Sequence, residues 1–258
     1  MTKTRAVLAF EKRAKGTVAR ITLDHPEKLN VLTPEALEGI VDHLQAAEAN
    51  EDLRAVVLTG AGAKAFCGGV DIATLGGLNP ATAREFITLI HEACAALRAC
   101  PVPVVARING WCIGGALELA AACDLRVAAD TASFSMPEVR LGIPSVVEAA
   151  LLPRLIGAGR ARWLVMTGEA IGAEQALTWG LVDKVSSARN LEKETARTLD
   201  LILEGGAEAM RAQKRLCKLW EEAPLEESVR ASIDEFARSY ESDEPRMRID
   251  GFRRRTKR

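Results

Sequence analysis

Apolar and polar positions follow two regimes along the chain. In the first two thirds, short β-branched and apolar runs alternate with stretches at helical spacing; beyond residue 190 the pattern is helical and more charged. Val18 to Leu23 reads as a strand that stops at the turn signal Asp24-His25-Pro26. Thr33-Pro34-Glu35 reads as a helix start, with Thr33 as cap and Pro34 in the first turn, and Leu37, Ile40, Val41 and Leu44 follow on one face. Ala55 to Thr59 reads as a buried strand ended by Gly60-Ala61-Gly62. A second helix is expected from Thr82 to about Leu97, with Phe86, Leu89, Ile90 and Ala93 on one face. Pro101 and Pro103 bracket the entrance to a strand from Val102 to Ile108, which Asn109-Gly110 closes. Gly114-Gly115 opens an apolar helix running to about Cys123. Leu125 to Ala128, Ser133 to Met136 and Leu181 to Val185 read as short strands, and Gly159 to Met166 and Ala173 to Trp179 as helices. Val229, Ile233, Phe236 and Tyr240 form one apolar stripe near the end. Strand–helix units followed by a helical C-terminal third make this an α/β chain. No sequence repeat is evident.

Composition narrows the function classes. The 258 residues suffice for one sizeable core, and 48% hydrophobic with 27% charged residues is ordinary for a globular protein. A net charge of -1 and 4% aromatic content give no electrostatic or base-stacking case for a nucleic-acid partner. The six cysteines form no CxxC pair and there are three histidines, so spacing supports no metal cluster. No apolar run is long enough to span a membrane, and the first residues show no secretory pattern, so a cytoplasmic, reduced protein with no membrane partner is expected.

Two places join glycine to a helix start: Cys67-Gly68-Gly69-Val70-Asp71 and Gly110-Trp111-Cys112-Ile113-Gly114-Gly115. Neither is a GxGxxG or phosphate-loop motif. First-turn N–H groups and a positive helix end would form an oxyanion hole if the two corners faced each other; otherwise these glycines only make tight turns. Glu118 is the one charged side chain in the apolar run from Gly114 to Cys123. Burial raises a carboxyl pKa, the property wanted in a general acid or base. The alternative is a structural carboxylate held by an arginine or a backbone amide. Glu138, after Met136-Pro137, is an ordinary surface glutamate unless the fold returns it to Glu118.

At these residues the chain resembles the enoyl-CoA hydratase/isomerase, or crotonase, superfamily. The matching pieces, in order, are Pro26 to Asn30, Val56 to Gly60, Ala65-Phe-Cys-Gly-Gly-Val-Asp71, Ile108-Asn-Gly110 with Gly114-Gly115, Cys123-Asp124, Ala129-Asp130 and Pro137-Glu138. The resemblance runs from about Val18 to Val185 and is weaker in the C-terminal helices. It implies a crotonase-like spiral of repeated β-β-α units over residues 1–190 and a C-terminal helical trimerisation region over 191–258. It implies hydration of a trans-2-enoyl-CoA to a 3-hydroxyacyl-CoA, with Gly68 and Gly115 as the N–H donors to the thioester oxygen. Glu118 would help deprotonate a water for attack at C3, and Glu138 would deliver a proton to C2. Lys28, Leu29, Ala65, Phe66, Gly68, Asp71 and Ile72 would meet coenzyme A, which enters as part of the substrate; no prosthetic group or metal is implied. The family is commonly a homotrimer or a dimer of trimers. Basic residues from Arg253 to Arg258 are either phosphate contacts or a solvated tail.

The chain departs from the resemblance after Leu141-Gly142-Ile143-Pro144. Many hydratases continue with a glycine-rich run, whereas this chain has Ser145-Val146-Val147-Glu148-Ala149-Ala150-Leu151. Bulkier residues here imply a differently shaped acyl pocket, and Glu148 is a third acid or a salt-bridge residue on a helix face. An enoyl-CoA isomerase or another thioester enolate reaction is the alternative activity. A non-enzymatic scaffold fits the intact glycine corners and acids poorly, and the absence of GxSxG disfavours a serine hydrolase.

Overall fold

The structure, a computed structural model, describes residues 3–255. The chain opens on an antiparallel hairpin of β1 (Arg5–Arg13) and β2 (Gly16–Asp24). Helix α1 (Pro34–Glu48) leads to β3 (Leu53–Gly60), which lies parallel to β2. A pattern then recurs. β3 is followed by β4 (Ala65–Cys67) and the helices α2 (Ile72–Gly76) and α3 (Pro80–Ala99). β5 (Val104–Ile108) is followed by β6 (Trp111–Ile113) and α4 (Gly115–Ala122). β7 (Leu125–Ala129) is followed by β8 (Ser133–Ser135), two 3-10 turns at Glu138–Leu141 and Val147–Leu151, and α5 (Leu152–Ile156). α6 (Ala158–Thr167), β9 (Ile171–Gly172), α7 (Ala173–Trp179) and β10 (Lys184–Ser186) complete this part. Four helices follow: α8 (Leu191–Glu204), α9 (Ala207–Glu222), α10 (Leu225–Arg238) and α11 (Glu244–Arg255).

Each repeat gives its longer strand to one sheet, ordered β1-β2-β3-β5-β7-β10, and its shorter strand to a second, ordered β4-β6-β8-β9. This is a spiral of β-β-α units, built on structural repetition without sequence repetition. Both faces of the larger sheet are covered at β3, which is why that strand reads as a continuous apolar run. Val56 and Leu58 pack inward with α1, α3 and α4. Ala55 and Val57 point the other way, onto Leu191, Leu199, Ile202 and Leu203 of α8. The first helix beyond residue 190 thus shares the sheet's core. Asp124 Oδ2 ties α9 to the same core by accepting from the Val104 N–H at 2.6 Å and from the buried Lys214 ammonium at 2.7 Å.

Element boundaries moved for local reasons. β1 was not expected; its alternation is obscured by charged residues on its exposed side. α3 begins at Pro80, capped by Asn79, and Thr82 is the third residue of the resulting capping box rather than the start. The last strand begins at Lys184 instead of Leu181, because the Leu181 N–H closes a turn onto Ala176 and Asp183 caps the Arg126 N–H. Thr33 caps α1 as expected, accepting from the Ala36 N–H at 3.2 Å. Val229, Ile233, Phe236 and Tyr240 leave their apolar stripe exposed on α10 and the turn after it.

Candidate active site

Two buried asparagines fix the loop that enters the site. Asn30, held in the left-handed region at φ 54°, accepts from the His25 N–H at 2.9 Å and donates to the Ala61 and Ala65 carbonyls, each at 3.0 Å. Asn109 donates to the Gly62 carbonyl at 2.8 Å and to the Ala65 carbonyl at 3.0 Å. The loop crosses so close to the backbone that a Cβ on Gly110 would stand 2.1 Å from the Lys64 carbonyl oxygen. Glycine is required there for space.

The second corner collects the acids. Gly114, at φ 56°, precedes α4, and a Cβ on it would stand 2.3 Å from Glu138 Oε1. Glu138 begins the 3-10 turn Glu138–Leu141, and its Oε2 accepts from the Ser145 hydroxyl at 2.8 Å. A Cβ on Gly115 would stand 3.8 Å from Glu118 Oε2. The fold therefore brings Glu118 and Glu138 to the same Gly114–Gly115 corner, a meeting that their spacing in sequence cannot show. Gly115 is the first residue of α4, so its N–H has no partner within the helix and lies at the positive end of the dipole.

Glu118 is 4% exposed, and its Oε1 accepts from the Ala149 N–H at 3.1 Å. Burial pushes its carboxyl up to about 8; the Ala149 bond opposes this, and the nearby charges of Glu138 and Glu148 add to it. Of the readings open from sequence, the backbone amide is present, and among the described residues no arginine is bonded to this carboxylate.

The altered segment lies against this site. It forms the 3-10 turn Val147–Leu151, and Val147 is held at φ 37°, a strained conformation for a β-branched residue. Glu148 meets a basic side chain, with its Oε1 2.8 Å from His91 Nδ1 on α3, but the carboxylate is buried rather than on an open helix face. Its Oε2 is buried as well, and the Cys94 thiol of α3 adjoins the carboxylate.

The other expected contacts are distributed as follows. Lys28 is exposed, and Leu29, at φ 56°, lies against Gly68. The Gly68 N–H is donated to the Leu29 carbonyl at 2.8 Å, so in this structure it is occupied. Ala65 and Phe66 are buried, their carbonyls facing Asn30. Asp71 caps α2, its Oδ2 accepting from the Thr74 N–H at 3.2 Å, and Ile72 is 63% exposed beside it. Of the C-terminal basic cluster, Arg253 and Arg254 lie on α11, while residues 256–258 fall outside the described residues. Sequence reading missed Ser145, the Ala149 amide and His91 as partners of the acids. Their one signal was their place in, or facing, the segment that departs from the glycine-rich pattern.

Among the described residues, no group of histidine, cysteine and acidic side chains could hold a metal ion, and no helix is long and apolar enough to cross a membrane. All six cysteines are unpaired. The arrangement is chemically a two-carboxyl site with one raised pKa, set at a helix start with an unpaired N–H.

A family model described as enoyl-CoA hydratase/isomerase matches residues 13–258. A crotonyl-CoA hydratase of Syntrophomonas wolfei is 32% identical, covering 95% of this chain and 94% of the relative. An (E)-benzylidenesuccinyl-CoA hydratase of Thauera aromatica is 34% identical, covering 82% and 83%. A solved enoyl-CoA hydratase from Bacillus anthracis superposes with a TM-score of 0.91 at 30% identity, covering 96% of both chains.

Proposed function

The chain belongs to the enoyl-CoA hydratase/isomerase (crotonase) family, and from that premise we propose that it hydrates a trans-2-enoyl-CoA to a 3-hydroxyacyl-CoA through Glu118 and Glu138. General enoyl-CoA hydratase/isomerase activity on coenzyme-A thioesters, of the lyase kind, follows from the family. The two-glutamate mechanism is the finer reading, and one observation carries it: both carboxyls meet the Gly114–Gly115 corner.

The Gly115 N–H receives the thioester oxygen. The Gly68 N–H joins it by exchanging the Leu29 carbonyl for that oxygen, a swap of one hydrogen bond for another. Together they stabilise the negative charge that develops on the oxygen as C3 is attacked. The two carboxyls hold one water and share one proton. Glu118 takes a proton from the water as its oxygen bonds to C3, and Glu138 gives its proton to C2. Burial favours the protonated form of Glu118. That state suits the reverse reaction, in which Glu118 protonates the departing hydroxyl and Glu138 receives the C2 proton. Hydration starts once the proton has crossed to Glu138.

Coenzyme A lies along Lys28, Leu29, Gly68 and Ile72, with Ala65 and Phe66 as buried floor and Asp71 fixing α2 by its cap. The acyl group reaches the 145–151 segment, whose valines favour a substituted or branched chain over a plain straight one. The exposed apolar stripe of α10 fits assembly as a homotrimer or a dimer of trimers.

The test is loss of the conjugated-thioester absorbance across a panel of 2-enoyl-CoAs with straight, branched and aryl acyl groups, run beside their 3-enoyl isomers. Hydration of 2-enoyl substrates, abolished in Glu138→Gln with thioester binding retained, is expected. Turnover of the 3-enoyl isomers alone would favour the isomerase instead.

A further inference from the structure

Glu148 has no part in the two-glutamate scheme, yet it is among the few buried acids of the chain. Its Oε1 bonds His91 Nδ1 at 2.8 Å, linking the 3-10 turn Val147–Leu151 to α3. The next residue, Ala149, presents its N–H to Glu118 Oε1 at 3.1 Å. The residue before, Val147, is held at φ 37°. Such a conformation persists only where surrounding contacts over-determine it, and the His91 tether and the Ala149–Glu118 bond are two such contacts. The Glu148 carboxylate is buried and is met from α3 by two side chains, His91 at 2.8 Å and the buried Cys94 thiol, more than a residue serving only a surface contact would hold.

We infer that Glu148 is a positioning residue for Glu118: tethered by His91, it aims the Ala149 amide at Glu118 and keeps a second buried carboxylate beside it, so governing when Glu118 gives up its proton. The titratable groups around the pair come from each adjoining element. Glu138 faces Glu118 from the Glu138–Leu141 turn. His91 and Cys94 reach Glu148 from α3. Burial raises the Cys94 thiol pKa, and the charges of Glu148 and Glu118 add to it. The His91 side chain is 56% exposed, so the outer end of the tether meets solvent.

The kinetic arm rests on the hydratase reading; the titration arm does not. Full-length protein carrying carboxyl-13C glutamate is titrated by NMR, with Glu118→Gln identifying the Glu118 signal. Glu148→Gln keeps shape and removes charge, and it is expected to lower the Glu118 midpoint by about one pH unit. It should cut kcat about tenfold with KM changed less than about twofold. Glu148→Asp, which keeps the charge, should restore the midpoint. A Glu148→Gln protein with the parental midpoint and kcat overturns the inference. Should Glu148→Gln not fold, His91→Ala cuts the tether from its solvent side: a fall in kcat that His91→Gln restores supports the inference, and an unchanged kcat overturns it. If the parent hydrates no 2-enoyl-CoA while the Glu118 midpoint still moves in Glu148→Gln, the hydratase reading falls and this inference stands.

Discussion

Glu138 Oε1 occupies the space that a side chain on Gly114 would need, 2.3 Å from the ideal Cβ position. The carboxylate is seated against bare backbone, and Gly114 holds a positive φ of 56°. Gly114→Ala would strain the corner and displace Glu138 together. We expect kcat on a 2-enoyl-CoA to fall by about 100-fold or more, the scale set by small misplacements of catalytic groups. Circular dichroism that still shows the parental fold would separate this from unfolding.

The second prediction concerns pH. In the proposed mechanism the Glu118–Glu138 pair works with one proton between the two carboxyls, and burial pushes Glu118 up to about 8. The kcat/KM profile should therefore decline above about pH 8. A profile flat to pH 10 would remove Glu118 from the acid–base chemistry.

Glu118 also links stability to pH. Its folded-state pKa stands above the ordinary glutamate value of 4.5, so the folded protein holds a proton that the unfolded chain releases. Its burial is tolerated below about 4.5 and costs stability progressively as pH rises from there to about 8. Glu118→Gln keeps an acceptor for the Ala149 N–H and abolishes the titration. Thermal unfolding at pH 8.5 should show the variant more stable by on the order of a few kcal/mol, with the difference vanishing near pH 4.

Ser145 supplies the hydroxyl that orients Glu138, at 2.8 Å from Oε2. Ser145→Ala should lower kcat by about tenfold while KM for the thioester stays within about twofold, because the hydroxyl acts on the acid and not on coenzyme A. Steady-state kinetics over a range of thioester concentrations separates the two parameters.

Asn30 is a stability position. Asn30→Ala removes its bonds to His25, Ala61 and Ala65 and leaves alanine at φ 54°. A loss of about 2–4 kcal/mol is expected in urea unfolding, from unsatisfied buried groups and left-handed strain together.

The sequence by itself carried the local rules. The Thr33 cap, the apolar faces of α1 and α3 and the doubly buried β3 are short-range matters of periodicity and turn chemistry, and they were legible. So was the isolation of Glu118 in an apolar run, since burying one charge among alanines and leucines is a one-dimensional observation with a known cost. The ordered glycine and asparagine pieces carried the family. Tertiary structure decided which of these groups meet. Glu118 and Glu138 converge because β8 and the turn after it return the chain to the start of α4, a register set by β6–β8 pairing. His91 and Glu148, 57 positions apart, meet because α3 and the Val147–Leu151 turn both touch α4. The occupied Gly68 N–H likewise depends on a left-handed Leu29 brought against it by the fold. Hydrogen bonds act over about 3 Å in space, and sequence separation carries no information about that distance until the sheets set the register.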